Sequence, residues 1–154
     1  MIEVIILAVY FLLNPMKKKF NKLKRERLTE QIISYLTSEY DEITIAYLFG
    51  SFVTEKFFSD IDIGVLAKID PIKALNFELM LECKLETILS CPVDVRVLNY
   101  APLSFCQNII RQGKVVIDRN PDLRADFEGK VLKQYFDFAP FRRKYLQEVT
   151  NAPI

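Results

Sequence analysis

The segment Phe49–Val65, "FGSFVTEKFFSDIDIGV", places two aspartates one residue apart in a run that otherwise has the make-up of a buried strand. That pattern constrains the fold more than any other feature of the chain. Strand side chains alternate between faces, so Asp60 and Asp62 share one face while Ile61, Ile63 and Val65 share the other. The apolar face needs a core beneath it, and the charged face needs to stay open. The carboxylates are then held about 7 Å apart on a rigid base, within reach of a shared cation or a pair of cations.

A second segment, "PVDVRVLN" (Pro92–Asn99), repeats the alternation with Val93, Val95 and Val97 inward and Asp94 and Arg96 outward. If the two strands are neighbours, Asp94 joins Asp60 and Asp62 in a cluster that repels itself until a cation neutralises it. Mg2+ prefers oxygen, takes few protein ligands and arrives with phosphates, so it is the expected occupant. Arg96 reads either as a contact to phosphate or a neighbouring aspartate, or as a solvent-facing strand residue. Gly50-Ser51 supplies the complementary half. A glycine between strand and helix lets the backbone pass close to a ligand, the helix start attracts anionic phosphate, and Ser51 adds a hydroxyl. Each motif is weak in isolation, since Asp-x-Asp also marks edge strands and Gly-Ser marks ordinary turns. Their order along the chain gives them weight.

The remaining pattern is of mixed helix and strand. A helix is expected over Thr29–Glu39 with Thr29 as cap, then a strand over Glu42–Phe49 and a short helix from Ser51 to about Phe58. The strand Asp60–Ala67 follows, and Asp70-Pro71 opens a helix reaching about Leu89. After the strand at Pro92–Asn99 come a helix over Leu103–Gly113 and a strand over Lys114–Arg119. Asn120-Pro121 begins a helix through about Phe136, and Pro140 separates it from a last piece, Phe141–Val149. This order implies an α+β class with a small mixed sheet flanked by helices.

With 154 residues, 51% of them hydrophobic, and a net charge of +1, the chain fits one compact domain rather than a disordered one. The absence of histidine removes catalytic triads, His general bases and His metal sites. Cys83, Cys91 and Cys106 are odd in number and lack C-x-x-C spacing, which points to reduced thiols and a cytoplasmic protein. The apolar run Val4–Leu13 is too short to span a bilayer, so no membrane association is expected. It reads as part of a dispensable extension over residues 1–28, with Met16 as an alternative start and a packed element or an anchor as the lesser readings. The single domain is then 29–154. The basic run Lys17–Arg27 reads as a solvated helix face ahead of a nucleic-acid patch.

The combination of Gly50-Ser51, a short helix, Asp60-x-Asp62 and Asp94 resembles the nucleotidyltransferase superfamily. "VDVRVLNYAPLSFCQNIIRQGKVVIDR" (Val93–Arg119) and "YFDFAPFRRKY" (Tyr135–Tyr145) are similar to the minimal nucleotidyltransferases, in particular the MntA-like antitoxins paired with HEPN-domain toxins. The resemblance covers roughly Thr29–Tyr145, although the interval between Ser51 and Asp60 is shorter than in most relatives. It implies a polymerase-beta-like fold, with Asp60 and Asp62 as metal ligands and Asp94 as a third ligand that helps deprotonate the acceptor. It further implies that Gly50 and Ser51 hold the triphosphate of ATP, that two Mg2+ ions serve, and that AMP passes to a toxin tyrosine. Phe57, Phe58, Phe136 and Phe138 are expected in the core or on a partner surface, and "FDFAPF" (Phe136–Phe141) on the partner surface.

Overall fold

The computed structural model describes residues 18–19 and 22–150. Its elements are β1 (Lys18–Lys19), α1 (Lys22–Glu39), β2 (Ile43–Phe49), α2 (Ser51–Thr54), β3 (Phe57–Phe58) and β4 (Ile61–Ala67). They continue with α3 (Pro71–Leu89), β5 (Val93–Val97), a 3-10 turn (Leu98–Tyr100), α4 (Leu103–Gln112), β6 (Lys114–Asp118), α5 (Pro121–Asp137) and α6 (Ala139–Thr150). The expectation for Val4–Leu13 falls outside the described residues.

Four strands form one sheet in the order β5-β4-β2-β6, and β1 pairs separately with β3. β2 runs antiparallel to both β4 and β6, whereas β4 and β5 run parallel. The mixed sheet of the expected α+β class is therefore present. The parallel pair needs a crossover, and α3 supplies it. That helix starts where Asp70 accepts a 2.9 Å bond from the Ile72 N–H, with Pro71 in the first turn. It ends at Ser90, whose left-handed φ of 52° stops the helix.

Both faces of the sheet are covered, contrary to the expectation of one open face. On one side Ile61, Ile63, Val65, Val93, Val95 and Val97 pack with Ile32 and Leu36 of α1 and Phe77, Leu81 and Leu85 of α3. On the other, Ile45, Tyr47 and Leu66 pack with Cys106 and Ile109 of α4 and Val131 of α5. Tyr47, almost fully buried, donates a 2.8 Å bond to Glu128 and so ties α5 to the sheet. Asp62, the second residue of β4, belongs to this second face and is half-buried.

Three boundaries differ from those read in the sequence, each for a local reason. α1 starts at Lys22, and Thr29 lies inside it, donating its hydroxyl to the Arg25 carbonyl at 2.9 Å rather than capping. The helix after Gly50 stops at Thr54 because Phe57–Phe58 pairs with Lys18–Lys19 instead. Pro140 sits within the first turn of α6, where its missing N–H is not needed. Residues 18–19 and 22–28 of the segment assigned to the extension thus enter the fold, and Leu28 is buried in the main core.

β5 is an edge strand, and its outward N–H groups are met by a row of carboxylates on α3. Val93 donates to Glu86 at 3.1 Å, Val95 to Glu82 at 2.9 Å and Val97 to Glu78 at 2.7 Å. Glutamates four residues apart share one helix face, and the donors two residues apart share one strand edge. The two spacings match well enough to fix β5 along α3.

Candidate active site

The parallel pairing sets Asp62 directly beside Asp94. On its other side Asp62 is opposite Phe49, the last residue of β2, and the chain then turns through Gly50 into α2. Gly50 has φ +67°, a conformation that L side chains rarely adopt, and a Cβ there would run into the Asp62 carboxylate. The glycine is thus required twice, for its backbone and for the space it leaves. Ser51 is the first residue of α2, whose amides at Val53 and Thr54 both bond to the Gly50 carbonyl. The Ser51 hydroxyl makes no hydrogen bond among the described residues.

Asp60 precedes β4 and accepts a 3.0 Å bond from the Ser59 hydroxyl. Asp62 is pushed up from 3.8 to about 6, first by burial and then by the charges of Asp60 and Asp94. Burial disfavours the charged form, and the two neighbouring carboxylates add to that penalty. Asp94 has a partial answer in Arg96, whose guanidinium lies 3.2 Å from it and 3.4 Å from Glu78. Of the two readings of Arg96, the structure shows the partner of a neighbouring aspartate.

Sequence reasoning did not identify Glu82. Its carboxyl is raised by burial and by the nearby Asp94, against the pull of the Val95 N–H. The signal was present in the four-residue spacing of Glu78, Glu82 and Glu86, but only the fold shows that a strand edge lies opposite.

The donor set suits a hard divalent cation. It is all carboxylate, it leaves one acid half-buried and destabilised, and a glycine bend beside it admits a ligand. Among the described residues no three acids converge into a closed metal cage. The neighbouring strands on which the expected cluster depended are present, with Asp62 beside Asp94 and Asp94 paired to Arg96. Mg2+ takes much of its coordination from water and phosphate, so an open arrangement is compatible with it.

The aromatic residues divide. Phe58 is fully buried and stacks edge-on against Phe52, whereas Phe136, Phe138 and Phe141 are exposed, as are Tyr145 and Leu146 of α6. Among the described residues no helix is long and apolar enough to cross a membrane.

Comparison with known proteins gives a consistent result. The family model described as "Polymerase beta, Nucleotidyltransferase" matches residues 30–122, which include all five candidate positions. A curated relative, protein adenylyltransferase MntA of Shewanella oneidensis, is 31% identical over 121 residues, covering 77% of this chain and 85% of the relative. The fold matches a crystal structure of the toxin–antitoxin MntA-HepT with a TM-score of 0.65 and 28% identity, over 81% of this chain and 98% of that one. It matches a Shewanella oneidensis MNT antitoxin in complex with tri-AMPylated HEPN toxin with a TM-score of 0.66 and 28% identity, over 82% and 98% of the two chains. A toxin–antitoxin structure with AMP-PNP matches with a TM-score of 0.67 and 29% identity, over 79% and 98%. The family model spans more than half of the chain, and the chain belongs to the polymerase beta nucleotidyltransferase family.

Proposed function

We propose that this protein is the antitoxin of a HEPN-type toxin and silences it by transferring AMP from ATP to a tyrosine hydroxyl, with Mg2+ at Asp60, Asp62 and Asp94. The observation that carries the reading is the pairing of Asp62 with Asp94 beside the Gly50 bend, which supports taking the aspartates as metal ligands and Gly50-Ser51 as the phosphate cradle. The relatives provide the acceptor class, since one is a protein adenylyltransferase and another is complexed with an AMPylated toxin.

Bound Mg2+ would neutralise the phosphates and favour departure of pyrophosphate. The chain's own residues do the remainder. Gly50 lets the backbone approach the triphosphate. The first amides of a helix have no acceptor within it, which makes Ser51 and Phe52 the backbone donors and the Ser51 hydroxyl a third. Asp94 accepts the proton of the acceptor hydroxyl, whose oxygen bonds to the α-phosphorus while the bond from that phosphorus to the bridging oxygen breaks. Positioning and charge neutralisation suffice for this chemistry, so the lack of histidine is no obstacle.

Incubation with Mg2+, labelled ATP and the toxin encoded beside it tests the proposal. Asp60→Ala and Asp62→Ala should each abolish label on the toxin, and peptide mapping should place the wild-type label on tyrosine. Undiminished transfer by both variants would refute it. If an Asp60→Ala, Asp62→Ala double variant transfers nothing yet still rescues cells, neutralisation by complex formation replaces the enzymatic account. The exposed aromatics of Phe136–Phe141 and α6 are the surface assigned to that complex.

A further inference from the structure

The basic run that begins the described chain contains one residue that turns inward. Arg25 on α1 crosses to the loop after α2, where its Nη2 donates a 2.7 Å bond to the carbonyl of Glu55, thirty residues away. Its guanidinium carbon lies 5.5 Å from the Phe52 ring centroid and 5.4 Å from that of Phe58. Those rings stack edge-on at 4.7 Å, so one cation caps an aromatic pair contributed by α2 and β3. The Arg25 Nε is buried and without a partner among the described residues, a cost accepted only where the rest of the side chain is firmly engaged. Glu55 is the C-cap of α2, and its own amide bonds back to Ser51.

This geometry matters because α2 is only four residues long. A single turn has no stability of its own, and something outside it has to hold its position. The β1–β3 pairing fixes the far end of the loop through backbone bonds, and Arg25 fixes the near end. Arg25 lies ahead of residues 30–122, the part matched by the family model, on the helix that runs into that part.

We propose that Arg25 is the positioning residue of the nucleotide cradle: it holds α2, and with it Gly50 and Ser51, in the geometry that receives the triphosphate. The inference rests on the reading of Gly50-Ser51 as that cradle. It also makes the segment before Thr29 necessary for nucleotide binding rather than dispensable.

Two readouts on the full chain test it. Arg25→Met keeps the apolar stem and removes the donor and the charge. Hydrogen exchange at the amides of Val53, Thr54 and Glu55 should accelerate by about tenfold or more, the scale of one lost hydrogen bond, while amides of β2 and β4 stay protected. Affinity for a fluorescent ATP analogue with Mg2+ should fall by about threefold to tenfold, with Arg25→Lys recovering part of it because the cation remains and the fork does not. A merely structural role would lower the melting temperature and leave both loop exchange and affinity unchanged in the folded protein, which would overturn the proposal. If Arg25→Met does not fold, Arg25→Lys carries the test against wild type: faster exchange at Val53–Glu55 with weaker affinity supports the proposal, and wild-type values for both overturn it. A wild-type chain that binds no Mg2+–ATP would refute the cradle reading and the nucleotide role with it. Exchange at Val53–Glu55 would then show separately whether Arg25 clamps the loop.

Discussion

Replacing Asp62 by asparagine should make the metal-free protein more stable. The side chain is half-buried beside Asp94 and near Asp60, and its carboxyl is pushed up from 3.8 to about 6. A shift of about 2 units at 1.36 kcal/mol each is ~3 kcal/mol of destabilisation of the ionised form. Partial exposure lets water and salt screen much of that, leaving about 1–2 kcal/mol. Asparagine keeps the shape that fits beneath Gly50 and removes the charge. The sign follows from linkage. The folded state holds its proton at Asp62 more tightly than the unfolded state, so the penalty is absent below about pH 3.8, grows as pH rises, and is complete above about pH 6. Thermal melts in chelator at about pH 7.5 should therefore place Asp62→Asn about 3 to 6 °C above wild type. At about pH 4.5 the gap should shrink to roughly a third. An unstabilised variant at the higher pH, or a gap that does not change with pH, would show that burial and the neighbouring aspartates do not penalise the charge on Asp62.

Gly50→Ala should lose AMP transfer almost completely and cost about 1–3 kcal/mol, since the residue would carry a strained φ and displace the Asp62 carboxylate; paired melts and transfer assays check both, and an active Gly50→Ala would deny the glycine its role. Glu82→Ala orphans the Val95 N–H on the edge strand and should cost about 1–3 kcal/mol by denaturant titration. Glu82→Gln, which keeps an acceptor oxygen and removes a charge near Asp94, should recover most of that.

How much of this was legible in the sequence depends on the range over which each interaction acts. The alternation in "DIDIGV" and "VDVRV" is local, and it placed Asp62 and Asp94 side by side with the valines and isoleucines on the opposite face. The helix starts at Asp70-Pro71 and Asn120-Pro121 are equally local, and both caps form. What escaped were long-range matches. Nothing near Phe57–Phe58 announces that Lys18–Lys19 will pair with it, so a continued helix was the natural expectation. Arg25 looked like one more charge in a basic run because its partners lie about thirty residues later. Arg96 could be assigned to Asp94 only once its guanidinium was seen in reach of both Asp94 and Glu78. The closed second face was hidden because its cover, α4 and α5, lies far along the chain from Ile45 and Tyr47.

The carboxylates that Glu78, Glu82 and Glu86 present to β5 bear on how a protein substrate can approach. An unprotected sheet edge invites another chain to add itself as a further strand, and many recognition modules work in that way. Here the row of donors is already occupied by the protein's own helix, on the very strand that carries Asp94. A partner cannot zip onto that border by main-chain bonding without first displacing three acids. Under the proposed transfer, the acceptor hydroxyl would reach Asp94 by a route other than strand addition at β5, and the same arrangement denies aggregating chains a template at that edge.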